Sequence, residues 1–132
     1  MTDGPGRRRN GLLACLVMLR RMAPQIHYSE ILAFLYVAEN EGVRVKELAE
    51  LMCATPATAS RAARALMSDG DPAALSPSLG WLVMASDERE KRSRHLYLTP
   101  LGAEICEKLD VVIGRAQLIG TAATPAFRTL RG

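Results

Sequence analysis

Between Tyr28 and Gly70 the apolar residues recur at helical spacing three times over, with very little chain left for connections. Ile31, Leu32, Leu35 and Val37 or Ala38 sit at core spacing in a helix expected from about Tyr28 to Asn40, and Gly42 after Glu41 stops it. Val45, Leu48, Ala49 and Met52 form an i, i+3, i+4, i+7 stripe, so only Gly42 to Arg44 remain as the connection between these two helices. Thr55 is a good N-cap with Pro56 at the first helical position, and the helix it opens is expected over about 56–69, ending at Gly70 after Asp69. Three helices in such quick succession build a helix-turn-helix.

After Gly70 the period changes. Asp71 to Gly80 contain two prolines and read as a loop, with room for one helical turn. Trp81-Leu82-Val83-Met84 and His95-Leu96-Tyr97-Leu98 read as short strands on either side of the charged, turn-prone Ala85 to Arg94. Thr99 caps, and Pro100 opens, a last helix to about Ile119, with Ile105, Leu109, Val112, Ile113 and Ala116 on one stripe. Ahead of the helix-turn-helix, residues 11–22 are apolar on every side for more than two turns and must be covered all round, which in so small a domain points to a subunit interface. Pro24 ends that helix. With 132 residues, 48% of them apolar and only 5% aromatic, the chain has enough for one core, packed by small aliphatic side chains. The expected fold is therefore mostly α with a small β-hairpin wing, a winged helix-turn-helix whose terminal helices form a dimer interface. Residues 1–10 are expected as a flexible basic arm, 11–120 as a single winged domain with dimerisation helices at both ends, and 121–132 as a loosely ordered tail.

The net charge of +3 decides nothing by itself, but its distribution does. Residues 30–54 carry five acids against two bases, while residues 55–68 carry Arg61 and Arg64 with no acid. On the 56–69 helix, Ala59, Ala62, Ala63 and Leu66 share one face suited to close packing, which leaves Ala57, Thr58, Ser60, Arg61 and Arg64 on the other. Hydroxyls near a helix N-terminus with arginines beyond suit the major groove, where arginine binds guanine O6 and N7 in bidentate fashion. By itself this face is also what an ordinary solvated helix would show. The second patch sharpens the reading: Arg89, Lys91, Arg92 and Arg94 crowd into six positions between the two strands, interleaved with acids that can orient them. A hairpin placed there would lie along the DNA backbone or enter the minor groove.

Residues 87–102, DEREKRSRHLYLTPLG, with the AEICEKL directly after them, resemble the wing and next helix of the multiple-antibiotic-resistance regulator (MarR) family of winged-helix repressors. VKELAELMCATPATASRAARALMSDG resembles that family's helix-turn-helix, and the likeness spans about residues 28–110. By position, the resemblance implies that Glu90 orients a wing-tip Arg92, and that Thr55, Thr58, Ser60, Arg61 and Arg64 face DNA; the wing cations Arg89, Lys91 and Arg94 are expected to join them from the charge pattern. It implies a homodimer on double-stranded DNA, with a small-molecule effector as a further option. Ala65 departs from the family by standing where relatives are often basic, and Gly70 and Gly80 both fit the family's single post-helix glycine, so that residues 71–80 look inserted. A winged-helix module for protein interaction, with weak or no sequence-specific DNA binding, is the alternative these departures keep open.

Other classes find little support. Three cysteines with no CxxC pair argue against a disulfide framework or a zinc site and fit a reducing, cytoplasmic setting. Cys15 has no His or Lys close in sequence to activate it, and an apolar helix raises a thiol pKa. His27 and His95 belong to no metal, serine-hydrolase or phosphate-loop pattern, so neither an enzyme nor a cofactor is expected. Arg7-Arg8-Arg9 ahead of Leu12 to Leu19 resembles a secretion signal, but Arg20 and Arg21 come at once with no small-x-small cleavage pattern. No apolar run approaches the ~20 residues of a membrane span.

Overall fold

The computed structural model describes residues 10–86 and 94–120. In chain order it contains α1 (Gly11–Met22), α2 (Tyr28–Glu39), β1 (Val43–Arg44), α3 (Val45–Leu51), α4 (Pro56–Ala65), β2 (Leu82–Ser86), β3 (Arg94–Leu98) and α5 (Pro100–Arg115). Residues 1–9 of the expected arm, 87–93 of the charged turn and the C-terminal tail lie outside the described residues, whereas Asn10, expected in the arm, caps α1, and Ala85, Ser86 and Arg94, expected in the turn, belong to the strands. The chain divides into two compact units, a larger one, Gln25–Cys106, and a smaller one made of Met1–Pro24 with Glu107–Gly132.

The core of the larger unit is built where three helices and the sheet each turn an apolar face inward. Ala33, Phe34 and Val37 of α2, Leu48 and Ala49 of α3, and Ala59, Ala62, Ala63 and Ala65 of α4 are buried, with Trp81, Leu82 and Leu96 contributed by the chain around the sheet. Phe34 meets Trp81 edge to face, ring centroids 5.0 Å apart at 61°. The four alanines let the α4 backbone sit close to α2 and α3, as their spacing predicts. On α2 the expected face is right only at Val37, which is fully buried: Leu35 is exposed and Ile31 and Leu32 are half-buried, while Ala33 and Phe34 are fully buried. Spacing alone does not choose a face on a helix whose every turn carries apolar residues, and packing of the Phe34 ring decides it.

The sheet has three antiparallel strands in the order β1-β3-β2. Met84, Leu96 and Val43 stand in register across it, and side chains alternate, with Leu96 buried and its neighbour Tyr97 exposed. Residues 42–44 are more than the bare connection their sequence predicts. Gly42 adopts a positive φ of 92°, its N–H donates to the Leu96 carbonyl at 2.8 Å, and Val43 and Arg44 pair with Leu96 and His95. Two residues are too few to show a period, and β1 exists only because β3 offers it an edge.

Two glycines and a threonine join the wing strands to α5. Thr99 Oγ1 accepts the Gly102 N–H at 3.0 Å and donates to the Gly80 carbonyl at 2.6 Å, while its own N–H donates to the Trp81 carbonyl at 3.1 Å. Gly102 is buried against that same carbonyl, which a Cβ would overlap. The run Leu98-Thr99-Pro100-Leu101-Gly102 is thus a cap followed by a close helix-to-strand approach.

In the smaller unit Asn10 caps α1, its Oδ1 accepting the Leu13 N–H at 2.8 Å, and the Gly11 N–H donates to the Gln117 carbonyl at 2.9 Å. Gly11 leaves only 3.1 Å between a would-be Cβ and the Ala116 Cβ, so α1 starts in close contact with the chain after α5. Leu19, Ala23 and Leu109 are buried, whereas Leu12, Leu13, Leu16, Met22, Val111 and Ile113 are exposed. Ile113 thus lies off the buried stripe on which it was expected with Leu109, and α5 stops at Arg115 rather than near Ile119. Among the described residues, no helix is long and apolar enough to cross a membrane.

Candidate nucleic-acid interface

The turn between α3 and α4 is set by the chain's own polar groups. Cys53 takes a positive φ of 52°, its N–H donating to the Glu50 carbonyl, and the Ala54 N–H donates to the Ala49 carbonyl at 2.9 Å. Thr55 then caps α4: its Oγ1 accepts the Thr58 N–H at 3.2 Å and lies 3.0 Å from the Thr58 hydroxyl. Thr55 is therefore occupied by the helix end, and what it contributes beyond the cap is the orientation of Thr58.

From that cap, α4 presents Ala57 and Arg61 exposed and Thr58, Ser60 and Arg64 half-buried. The apolar face is buried without exception, and it includes Ala65. Where a base is expected from the family pattern, this helix carries a core residue, because position 65 faces inward. Arg64 differs from Arg61 in kind. Its Nε donates to the Ala73 carbonyl at 2.7 Å, so the side chain lies on the 71–80 segment.

The helix is also shorter than the sequence predicts, ending at Ala65 with Leu66 as its C-cap rather than at Asp69. No breaker stands at 66. The carbonyls of residues 64–67 are instead taken by N–H groups of residues 75–82, which stops the helix from outside.

On the sheet, β2 and β3 pair from Leu82 opposite Leu98 to Ser86 opposite Arg94. Arg94 is exposed at the end of β3, with Nη1 3.9 Å from the Met84 sulfur. Arg89, Glu90, Lys91 and Arg92 lie outside the described residues. His95 is half-buried, its Nδ1 2.7 Å from the Gly42 carbonyl, so it belongs to the β1–β3 joint. Arg44, opposite it on β1, was missed by sequence reasoning. Arg44 is an exposed cation whose Nε lies 3.0 Å from Glu47 Oε1, and its own N–H donates to that oxygen at 3.1 Å. The backbone N–H and then the guanidinium of Arg44 hold the Glu47 carboxyl below its usual range, with a smaller contribution from His95.

The remaining candidates hold no chemistry of their own. Cys15, Cys53 and Cys106 form no disulfide, and burial pushes Cys15 up from its ordinary pKa, the direction that disfavours reaction. Among the described residues no three of His, Cys, Asp and Glu come together as a metal site. An open depression of about 600 Å³ is lined by Asn40, Glu41, Gly42, Val43, Glu47, Glu50 and Leu51, and its three carboxylates set it apart from the cationic side of α4.

Helix-turn-helix, a three-stranded wing sheet and a long closing helix, in this order, match solved proteins. No family model and no curated protein matches the sequence. Among solved structures, a MarR transcriptional regulator from Methanosarcina mazei Go1 superposes with a TM-score of 0.62 at 15% identity, over 92% of this chain and 80% of the other. The chain has the MarR winged-helix fold. The PcaV transcriptional regulator from Streptomyces coelicolor gives a TM-score of 0.54 at 17% identity, over 80% and 71% of the two chains. A mutant MarR from E.coli, solved in complex with operator DNA, gives 0.56 at 19% identity, over 80% and 69%. Within this MarR fold, α4 occupies the second position of the helix-turn-helix and β2–β3 form the wing.

Proposed function

We propose that this protein is a DNA-binding transcription regulator of MarR type, acting in the cytoplasm as a homodimer on double-stranded DNA. In this reading α4 enters the major groove, and the hairpin at about 85–95 meets the backbone or minor groove through Arg89, Lys91, Arg92 and Arg94, with Glu90 orienting Arg92. The observation that carries it is the two-sided character of α4. One face is wholly committed to the core, and the capped opposite face presents Thr58, Ser60 and Arg61. The operator-bound state of a structural neighbour supports the same assignment.

The homodimer rests on the exposed Leu12, Leu13 and Leu16 of α1 and Val111 and Ile113 of α5, more apolar side chain than a lone small unit leaves in water. Two copies would place recognition helices in successive major grooves about 10 base pairs apart. Selection of bound duplexes from a random pool tests binding, symmetry and spacing at once: enriched inverted half-sites are expected, and a pool with no enrichment refutes the reading. Charge reversal at Arg61 and Arg92 should abolish the enriched binding.

One observation favours the alternative of a protein-interaction module. With Arg64 engaged by Ala73 and Ala65 buried, Arg61 is the only fully exposed cation on the described α4. The pool selection separates the two readings, since an interaction module enriches nothing.

A further inference from the structure

Residues 71–80 separate the recognition helix from the wing, and the hydrogen bonds they make say what they are for. An α-helix leaves its last four carbonyls without partners. Helices commonly solve this with a left-handed glycine just past the end. Here Met67 comes after the Leu66 cap; the Leu66 and Met67 N–H groups close short turns on the Ala63 and Arg64 carbonyls at 3.1 and 3.3 Å, and further donors come from later in the chain. The Leu75 N–H reaches the Arg64 carbonyl at 2.9 Å, and the Leu79 N–H reaches Ala65 at 3.1 Å. Trp81 and Leu82 both reach Leu66, at 2.8 and 3.0 Å, and Gly80 reaches Met67 at 3.3 Å.

The segment holds its own shape for this task. Asp71 Oδ1 accepts the Ala73 N–H at 2.8 Å, and the Ala74 N–H closes on the Asp71 carbonyl at 3.0 Å. The Ser78 N–H and hydroxyl both donate to the Leu75 carbonyl, at 2.8 and 2.9 Å. Its far end is tied to the base of the wing through the Thr99 hydroxyl on the Gly80 carbonyl. Arg64 grips the segment twice, by its carbonyl on Leu75 and by Nε on the carbonyl of Ala73, the residue whose N–H Asp71 holds.

We propose that Arg64 is a positioning residue that works through residues 71–80, holding them as the C-terminal cap of α4 and fixing that helix to the wing. Reading of DNA along α4 is then left to Thr58, Ser60 and Arg61. A half-buried guanidinium whose Nε is bound to the Ala73 carbonyl is oriented by the protein before any base is met. The proposal rests on α4 being the recognition helix for its DNA consequence, but not for the clamp itself.

The test compares Arg64→Ala, Arg64→Lys, Asp71→Ala, Arg61→Ala and the double variant of Arg64 and Asp71 in the full chain. Backbone amide exchange of the free protein is read at Leu75 and Leu79, and binding to sheared genomic duplex DNA is followed over a range of salt. Loss of the clamp should speed exchange at both amides about tenfold in Arg64→Ala, Arg64→Lys and Asp71→Ala alike, since lysine keeps the charge but not the Nε donor. The salt slope of Arg64→Ala should match the wild type, while that of Arg61→Ala falls by about one. The double variant should bind no more weakly than the weaker single one. Unchanged exchange at Leu75 and Leu79 overturns the clamp, as does an Arg64→Ala salt slope that drops by about one with losses that add to those of Asp71→Ala. If the wild type fails to bind duplex DNA, the reading of α4 falls and the exchange result still decides the clamp. Should Arg64→Ala fail to fold, Asp71→Ala and Arg64→Lys carry the same exchange readout.

Discussion

A Cβ at Gly102 would overlap the Trp81 carbonyl, whereas one at Gly70 meets nothing within 4 Å. Gly102→Ala should therefore cost about 3 kcal/mol by forcing α5 off the strand, while Gly70→Ala should leave stability nearly unchanged; urea midpoints compare the two directly. The same pair shows what could be read in advance. Gly102 closes the 87–102 stretch that resembles the MarR wing, but the reason for it is a backbone approach from residue 81, far away in the chain. Gly70 and Gly80 look interchangeable because left-handed φ leaves no mark in sequence, and only Gly80 has it, at 76°. Glu47 acts through pH instead of space. Its lowered pKa means its ionised form stabilises the fold above the ordinary glutamate value of about 4.3, and that contribution is lost as pH falls through the lowered folded value. Glu47→Gln should thus melt below the wild type near neutral pH, and the difference in Tm should close as pH drops below about 4. A gap that stays constant with pH would mean the carboxylate charge has no part in it.

Elements announce themselves where their own residues decide them and mislead where a neighbour does. The start of α4 was legible because its capping residue lies beside it, Thr55 accepting from Thr58, while α2 and α3 were read from apolar spacing and their caps, such as Glu30 accepting the His27 N–H at 3.0 Å, went unread. The end of α4 and the whole of β1 were not legible, because their partners sit ten or fifty residues away. The buried face of α4 was legible for a different reason, since alanine at helical spacing in an otherwise polar helix admits one reading. That close approach is also its weakness. Ala63 is fully buried, and Ala63→Leu adds three carbons where no space exists, costing about 1–3 kcal/mol by pushing α4 away from its neighbours. DNA affinity in a gel shift should fall by more than the lost stability accounts for, because the reading face moves with the helix. Retained affinity in a destabilised Ala63→Leu protein would show that the seat of α4 does not matter for binding.

At the scale of the molecule, charge and apolar surface are divided in a way the total of +3 hides. The larger unit holds eight bases against eleven acids, and the smaller holds nine against three. If the winged unit binds DNA as proposed, its excess of acids means that the attraction is local, at Arg61 and the wing cations, over a scaffold whose acids repel phosphate elsewhere. One such unit makes few phosphate contacts and should bind weakly. In the proposed homodimer two units would act at a high effective concentration, and the exposed leucines of α1 are the candidates to hold them together. Leu12 is 59% exposed and Leu13 47%, on a helix whose sequence already demanded cover on all sides. A self-complementary interface needs on the order of 1,000 Å² or more of buried surface, which these residues with Val111 and Ile113 are placed to supply. Leu12→Glu with Leu16→Glu should yield a monomer by sedimentation while leaving the far-ultraviolet circular dichroism of the fold intact. Its affinity for a selected palindrome should drop about a hundredfold or more, and its affinity for a single half-site should stay at the wild-type value. Equal losses on both sites would place these leucines in the fold of the subunit, and an unchanged dimer would place the subunit interface elsewhere.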